Sequence, residues 1–261
     1  MTDKGGKGPF DLSGRVALVV GSSMGIGLGM AAALAQAGAT VGINGRDRPR
    51  LAKAHESLVA QGLKAIALPF DAADFDALHA GIDALVRQAG PVDILINNAA
   101  VNPRAPLAEM TLDQWHSAFR LNLDSALVAS QKVAPGMIAK KRGKIINTLS
   151  LATDIMRPTT AAYAASKAAG RMLTKALAVE WAQYNIQVNA ISPGWNRTER
   201  MAFNLSRLPD LDAWVKKQTP LGRWSDPMQD LGGAAVYFAS DASNFVTGQT
   251  LQIDGGMTAT F

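Results

Sequence analysis

Short apolar runs alternate with longer stretches of helical period along most of this chain. "RVALVV", residues 15–20, reads as a buried strand, and the helical pattern "MAAALAQAG" after it is closed by Gly38. "TVGIN" reads as a strand, a helix follows Pro49, "AIALPF" is a strand and 74–89 a helix. "VDILIN" is the next strand. A long helical pattern begins near Thr111, where Thr-Leu-Asp-Gln has the form of a capping box. "KIINTLS" is a strand, 161–183 is helical, "IQVNAIS" is a strand, 227–239 is helical and "TLQID" is the last strand. This alternation predicts an α/β fold, a doubly wound parallel sheet with helices on both faces. Right-handed crossovers gather the carboxyl ends of the strands on one rim, where ligands bind in such sheets.

The 261 residues are enough for one α/β domain, and nothing in them marks an internal linker or repeat. We expect a flexible tail over 1–12, rich in Gly and Lys, and a catalytic domain over 13–261 with a substrate loop near 195–218. The absence of cysteine excludes disulfides and cysteine-based metal sites. His55, His79 and His116 fall in helical, surface-like settings, so no metal site is expected. The first residues lack the apolar core of a signal peptide, and no apolar run is long enough for a bilayer. A soluble, cytoplasmic protein without membrane partners is the expectation. The net charge of +5 raises nucleic acid as a partner. The basic residues are dispersed, however, apart from Lys140, Lys141, Arg142 and Lys144, which read as a solvated helix end. No nucleic-acid partner is expected.

Chemistry collects on the rim. The first strand runs into "GSSMGIG", residues 21–27, a turn that either lets backbone N–H groups approach a pyrophosphate or is simply tight. The second strand ends at "INGRD". Arg46 stands where a reader of a ribose 2′-hydroxyl would be acidic, and a guanidinium suits a 2′-phosphate. A shifted loop would present Asp47 instead. Asp71, at the end of the third strand, is an acceptor for an adenine amino group or a helix cap. "NNAA", residues 97–100, permits close approach to a ligand or forms a plain turn. Tyr163 and Lys167 lie four apart on one helix face. A nearby ammonium favours phenolate, which makes Tyr163 usable as an acid or base near neutral pH. Ser150, ending its strand, can bond the same substrate oxygen.

With "YAASK" and "SPGWNRT", these residues make the chain resemble the classical short-chain dehydrogenase/reductase family over nearly its whole length, from about Leu12 to "DGGM". The resemblance implies a single Rossmann-type domain, a nicotinamide dinucleotide and a homotetramer. Its cofactor positions fall on Gly21, Ser23, Met24, Gly25, Ile26, Gly27, Arg46, Asp71, Ala72, Asn98, Ala99, Tyr163, Lys167, Pro193, Gly194 and Thr198. Arg46 points to NADP(H) in preference to NAD(H). The catalytic set is Asn122, Ser150, Tyr163 and Lys167. In that set Lys167 also holds the nicotinamide ribose, and Asn122 positions a water that links the lysine to solvent. Two positions depart from the pattern. Val20 replaces a common threonine, which removes one brace between the cofactor turn and the fourth strand, and Ala100 adds a methyl beside the cofactor.

"NNAAVNPRAPL" and "LDAWVKKQTPLGRWSDP" look closest to the gluconate 5-dehydrogenase branch, which implies a sugar acid or polyol as the small-molecule substrate. Arg104, flanked by Pro103 and Pro106, is suited to a carboxylate. Ser150, Tyr163 and Trp195 complete the expected substrate contacts. Trp195, Met201, Phe203 and Leu205 either form an apolar lid or pack. Two other functions compete: reduction of a 3-ketoacyl thioester, and a dinucleotide sensor without turnover. The intact catalytic set argues against the sensor.

Overall fold

The computed structural model describes residues 8–199, 201, 205 and 210–260. Phe203 of the expected lid and residues 1–7 of the expected tail lie outside them. Of the rest of that tail, residues 8–10 are exposed, though the Pro9 carbonyl accepts from Ala242, and Leu12 is fully buried with its N–H bonded to the Ala37 carbonyl.

The elements are β1 (Val16–Val20), α1 (Gly25–Gln36), β2 (Thr40–Asn44), α2 (Arg48–Val59), β3 (Ala65–Leu68), α3 (Phe75–Ala89), β4 (Ile94–Asn97), α4 (Leu112–Phe119), α5 (Ser125–Lys140), β5 (Gly143–Thr148), α6 (Ala161–Trp181), β6 (Ile186–Pro193) and β7 (Thr250–Ile253), with further helices Asp210–Gln218 and Gly232–Ala239. The seven strands form one sheet in the order β3-β2-β1-β4-β5-β6-β7. Every pairing is parallel. The chain is thus the doubly wound parallel sheet that the alternation predicted, and the single Rossmann-type domain that the resemblance implied.

β1 shows why its run is apolar at every position. Ala17 and Val19 pack into one core with Met30, Leu34 and Phe238, while Val16, Leu18 and Val20 pack into the opposite core with Leu78, Leu85 and Leu95. Successive side chains point to opposite faces, and both faces are covered. The strand order reverses at β1, between β2 and β4, and opens a crevice at their carboxyl ends.

The basic cluster is a solvated helix end at Lys140 and Lys141, which are exposed, but not at Lys144, which lies within β5. Lys140 pairs with Asp93 at 2.7 Å and Arg142 with Asp241 at 3.4 Å. Lys144 is 1% exposed and donates to Ser243 Oγ and Asn244 Oδ1. β5 continues through Lys144 in register with Ile94, and this draws its side chain inside.

Candidate active site

The turn after β1 can close only with glycine at its key positions. Gly21 has φ +76, and a Cβ there would lie 2.6 Å from Ala99 Cα. A Cβ on Gly27 would collide with the Gly21 carbonyl oxygen and with Asn98 Nδ2. Asn98 Nδ2 donates to that carbonyl at 2.6 Å, and Asn44 Oδ1 accepts from Gly21 N–H at 3.0 Å. These two asparagines tie the turn to both neighbouring strands, which compensates for the hydroxyl missing at Val20. Asn97, by contrast, is buried in a structural network, donating to Asn147 Oδ1 and Ser130 Oγ.

α1 begins at Gly25 with extended Met24 before it, without a side-chain cap and without an acidic residue in its first turn. Its N–H groups are therefore free for an anion. Ile26 lines the cleft that Ser150 and Tyr163 share, Pro193 ends β6, and Gly194 leads to Thr198, which approaches Gly25: a Cβ on Gly25 would lie 3.2 Å from Thr198 Cγ2. An uncapped helix start under a loop of this kind fits a pyrophosphate.

At the far end of the rim, Ser23 backs Gly45, and Arg46 Nη1 approaches Asp71 Oδ2 at 3.3 Å. Asp71 also accepts from Ala73 N–H, so it shapes a turn, and Ala72 is buried beside it. The cap of α3 is Asp74. Asp47 caps α2, accepting from Arg50 N–H at 3.0 Å, and it pairs with the Arg50 guanidinium. Of the two candidates for the ribose, Arg46 is the freer, with its side chain 76% exposed.

Tyr163 and Lys167 lie on the first turns of α6, with Lys167 Nζ 5.9 Å from the Tyr163 ring centre. Lys167 is 3% exposed and donates to the Thr148 carbonyl at 2.6 Å. Burial pulls its pKa down to about 8. Ser150 Oγ accepts from Ala152 N–H at 3.1 Å, so a lone pair is spent and its proton is left to donate. Asn122 sits in a π-turn, Arg120–Asp124, between α4 and α5. Its amide exchanges two bonds with the Val101 backbone and donates to Ser166 Oγ at 2.9 Å. Such turns aim a helical side chain out of register.

Ser150 and Tyr163 open into a cleft of about 480 Å³ that Arg104, Trp195 and Met201 also line, with Ala100 on its wall. Among the lining residues, Arg157 went unnoticed in the sequence. Arg157 has its guanidinium carbon 4.8 Å from the ring centres of both Trp195 and Trp214. Trp195 in turn meets Trp214 and Trp224 edge to face. Arg157 carried no motif signal, because its aromatic neighbours lie far along the chain.

Residues 20–258 match a family model described as Enoyl-(Acyl carrier protein) reductase. The gluconate 5-dehydrogenase of Gluconobacter oxydans (strain 621H) is 43% identical over 249 residues, covering 95% of this chain and 96% of that protein. The 5-keto-D-gluconate 5-reductase of Escherichia coli (strain K12) is 40% identical over 248 residues, 95% of this chain and 97% of that one. The crystal structure of a gluconate 5-dehydrogenase from Burkholderia cenocepacia J2315, in complex with NADP and tartrate, superposes with a TM-score of 0.89 at 44% identity, over 96% of this chain and 98% of that one.

Proposed function

The chain belongs to the short-chain dehydrogenase/reductase family, a nicotinamide-dependent oxidoreductase of CH–OH groups, and on that premise we propose that it interconverts a sugar acid and its keto form with NADP(H). The observation that carries this is the opening of Ser150, Tyr163 and Arg104 onto one cleft. A bound nicotinamide supplies the hydride acceptor or donor. The α1 N-terminus with Gly21, Gly25 and Gly27 holds the pyrophosphate, and Asp71, Ala72, Asn98 and Ala99 border the adenosine half. Arg46 takes the 2′-phosphate, with Ser23 beside it. Pro193, Gly194 and Thr198 border the nicotinamide half.

Ser150 Oγ–H bonds the reacting oxygen. Tyr163 Oη takes the hydroxyl proton in oxidation and returns it in reduction. The buried Lys167 ammonium favours the phenolate. It also bonds the ribose, and Asn122 keeps a water path from the lysine to solvent. Arg104 meets the carboxylate and Trp195 walls the cleft. A panel of sugar acids, neutral polyols and 3-ketoacyl thioesters, each with both dinucleotides, tests this. Turnover of sugar acids with NADP(H) is expected. Turnover confined to thioesters would replace the reading with the ketoacyl one.

We further assign the protein to the cytoplasm, where a soluble dinucleotide pool is available, and to a homotetramer. Supporting an assembly, Met172 and Val179 on α6 and Phe245 and Leu251 around edge strand β7 are exposed apolar side chains. Exposed apolar side chains of this kind suit burial between subunits related by two-fold axes. Light scattering at micromolar protein should give four times the 27.5 kDa chain mass; a monomeric mass would overturn it.

A further inference from the structure

The geometry points to Arg157 as the fixed half of a two-guanidinium site, completed by Arg104, that binds the carboxylate of an open-chain polyhydroxy acid and makes that charge the pocket's main selector. This deepens the reading above and rests on it for the substrate class.

Several observations converge. Arg157 is held by Trp195 and Trp214 at 4.8 Å from each ring centre, in the cleft that Ser150 and Tyr163 share. The two indole rings stand at 80° to each other with the guanidinium carbon close to both, a cation–π setting that suits a delocalised guanidinium better than a compact ammonium. Among the described residues no carboxylate pairs with it. The acid nearest in sequence, Asp154, is occupied by Arg171, Thr153 and Gln252. Arg157 is held below the ordinary guanidinium range, first by burial and then by the charge of Arg104. Two like charges facing one cleft without a counter-charge repel, and an anion bridging them relieves that repulsion. A neutral polyol leaves it in place. The pair therefore discriminates by charge before any hydroxyl is read.

The backbone makes the juxtaposition durable. Ala105 N–H bonds to the Thr159 carbonyl at 3.3 Å, which stitches the Arg104 loop to the Arg157 loop. Thr159 has φ +68, a left-handed conformation unusual for a β-branched residue. Such strain persists where surrounding structure imposes it, commonly at ligand sites. Thr160 Oγ1 donates to the Arg157 carbonyl at 2.8 Å and closes the turn.

The test is calorimetric titration of tartrate and of D-gluconate into the wild-type protein and its Arg157→Gln, Arg157→Lys and Trp214→Leu variants, each saturated with NADPH, which cannot accept a hydride from either hydroxy acid, at low and high NaCl. Circular dichroism checks the fold of each variant. Arg157→Gln should weaken both acids at least tenfold and flatten the salt dependence. Arg157→Lys should recover little, and Trp214→Leu should lose part of the affinity with the charge intact. Acid affinity unchanged in Arg157→Gln, full rescue by lysine, or no binding of either acid to wild type would overturn the site. Binding of tartrate through Arg157 in a protein that turns over no sugar acid would uphold the site and overturn only the proposed reaction.

Discussion

Asn98 Nδ2 donates to the Gly21 carbonyl oxygen at 2.6 Å, so the strand after the switch point holds the glycine turn of the strand before it. Asn98→Ala removes the donor from a carbonyl packed beneath Gly27. An unpaired group of that kind costs about 1–3 kcal/mol. Urea denaturation should show a loss of that size, and the turn's looseness should weaken NADP⁺ several-fold by fluorescence titration. If stability and affinity both stay at wild-type values, the brace is not what shapes the turn.

Tyr163→Phe keeps the ring on α6 and removes the hydroxyl to which we assign proton exchange. Lys167 keeps its bond to the Thr148 carbonyl, so the proposed dinucleotide contact is left in place. Turnover should fall by roughly 10²–10⁴-fold, the range for general acid–base catalysis, while NADP⁺ affinity changes little. Wild-type kcat in this variant would move the proton carrier elsewhere.

Arg46 is exposed and paired with Asp71 at 3.3 Å, an ion pair of the kind worth about 1 kcal/mol or less. A 2′-phosphate can therefore recruit it at little cost. Recruiting Asp47 for a ribose hydroxyl would sacrifice the α2 cap, at about 1 kcal/mol. Arg46→Ala should weaken NADP⁺ about tenfold and leave NAD⁺ nearly unchanged. Equal losses for both, or a wild-type preference for NAD⁺, would refute the assignment.

Elements were legible in the sequence where their causes are local. Fully buried parallel strands are continuous apolar runs, and the Thr111 capping box forms with Gln114 as its spacing predicts. The expected helix over 227–239 forms only as Gly232–Ala239. Asp226 Oδ1 accepts from the N–H groups of Met228 and Gln229 as an N-cap would, and the bond from Gly232 N–H to the Met228 carbonyl forms, but 227–231 remain a turn leading into the helix. The long helix from Thr111 is interrupted at Asn122, whose amide is bound to the Val101 backbone. The same limit hid Arg157, whose partners are remote rings. The Tyr-x-x-x-Lys pair was readable because one helical turn sets it.

Lys144 is the residue the sequence most misplaced, and its burial has a consequence for stability. Its pKa falls from 10.5 to about 8 through burial, with Asp241 opposing and Arg142 reinforcing the shift. Below about pH 8 the folded protein carries this ammonium at full desolvation penalty. Between about 8 and 10.5 the folded lysine has lost its proton while the unfolded one retains it. The unfolded state then binds more protons, so this group's contribution to stability rises with pH across that window. Lys144→Met removes the titration. Ser243 and Asn244, its two hydrogen-bond partners, do not titrate, so whatever the substitution costs through them is constant with pH. Lys167, with a pKa also near 8, is common to both proteins and cancels in the difference. Chemical denaturation of wild type and Lys144→Met at pH 7, 8.5 and 10 should give a difference that shifts in favour of wild type as pH rises, most steeply above 8. A difference that is flat, or that moves toward the variant, would mean that Lys144 keeps its charge in the folded protein.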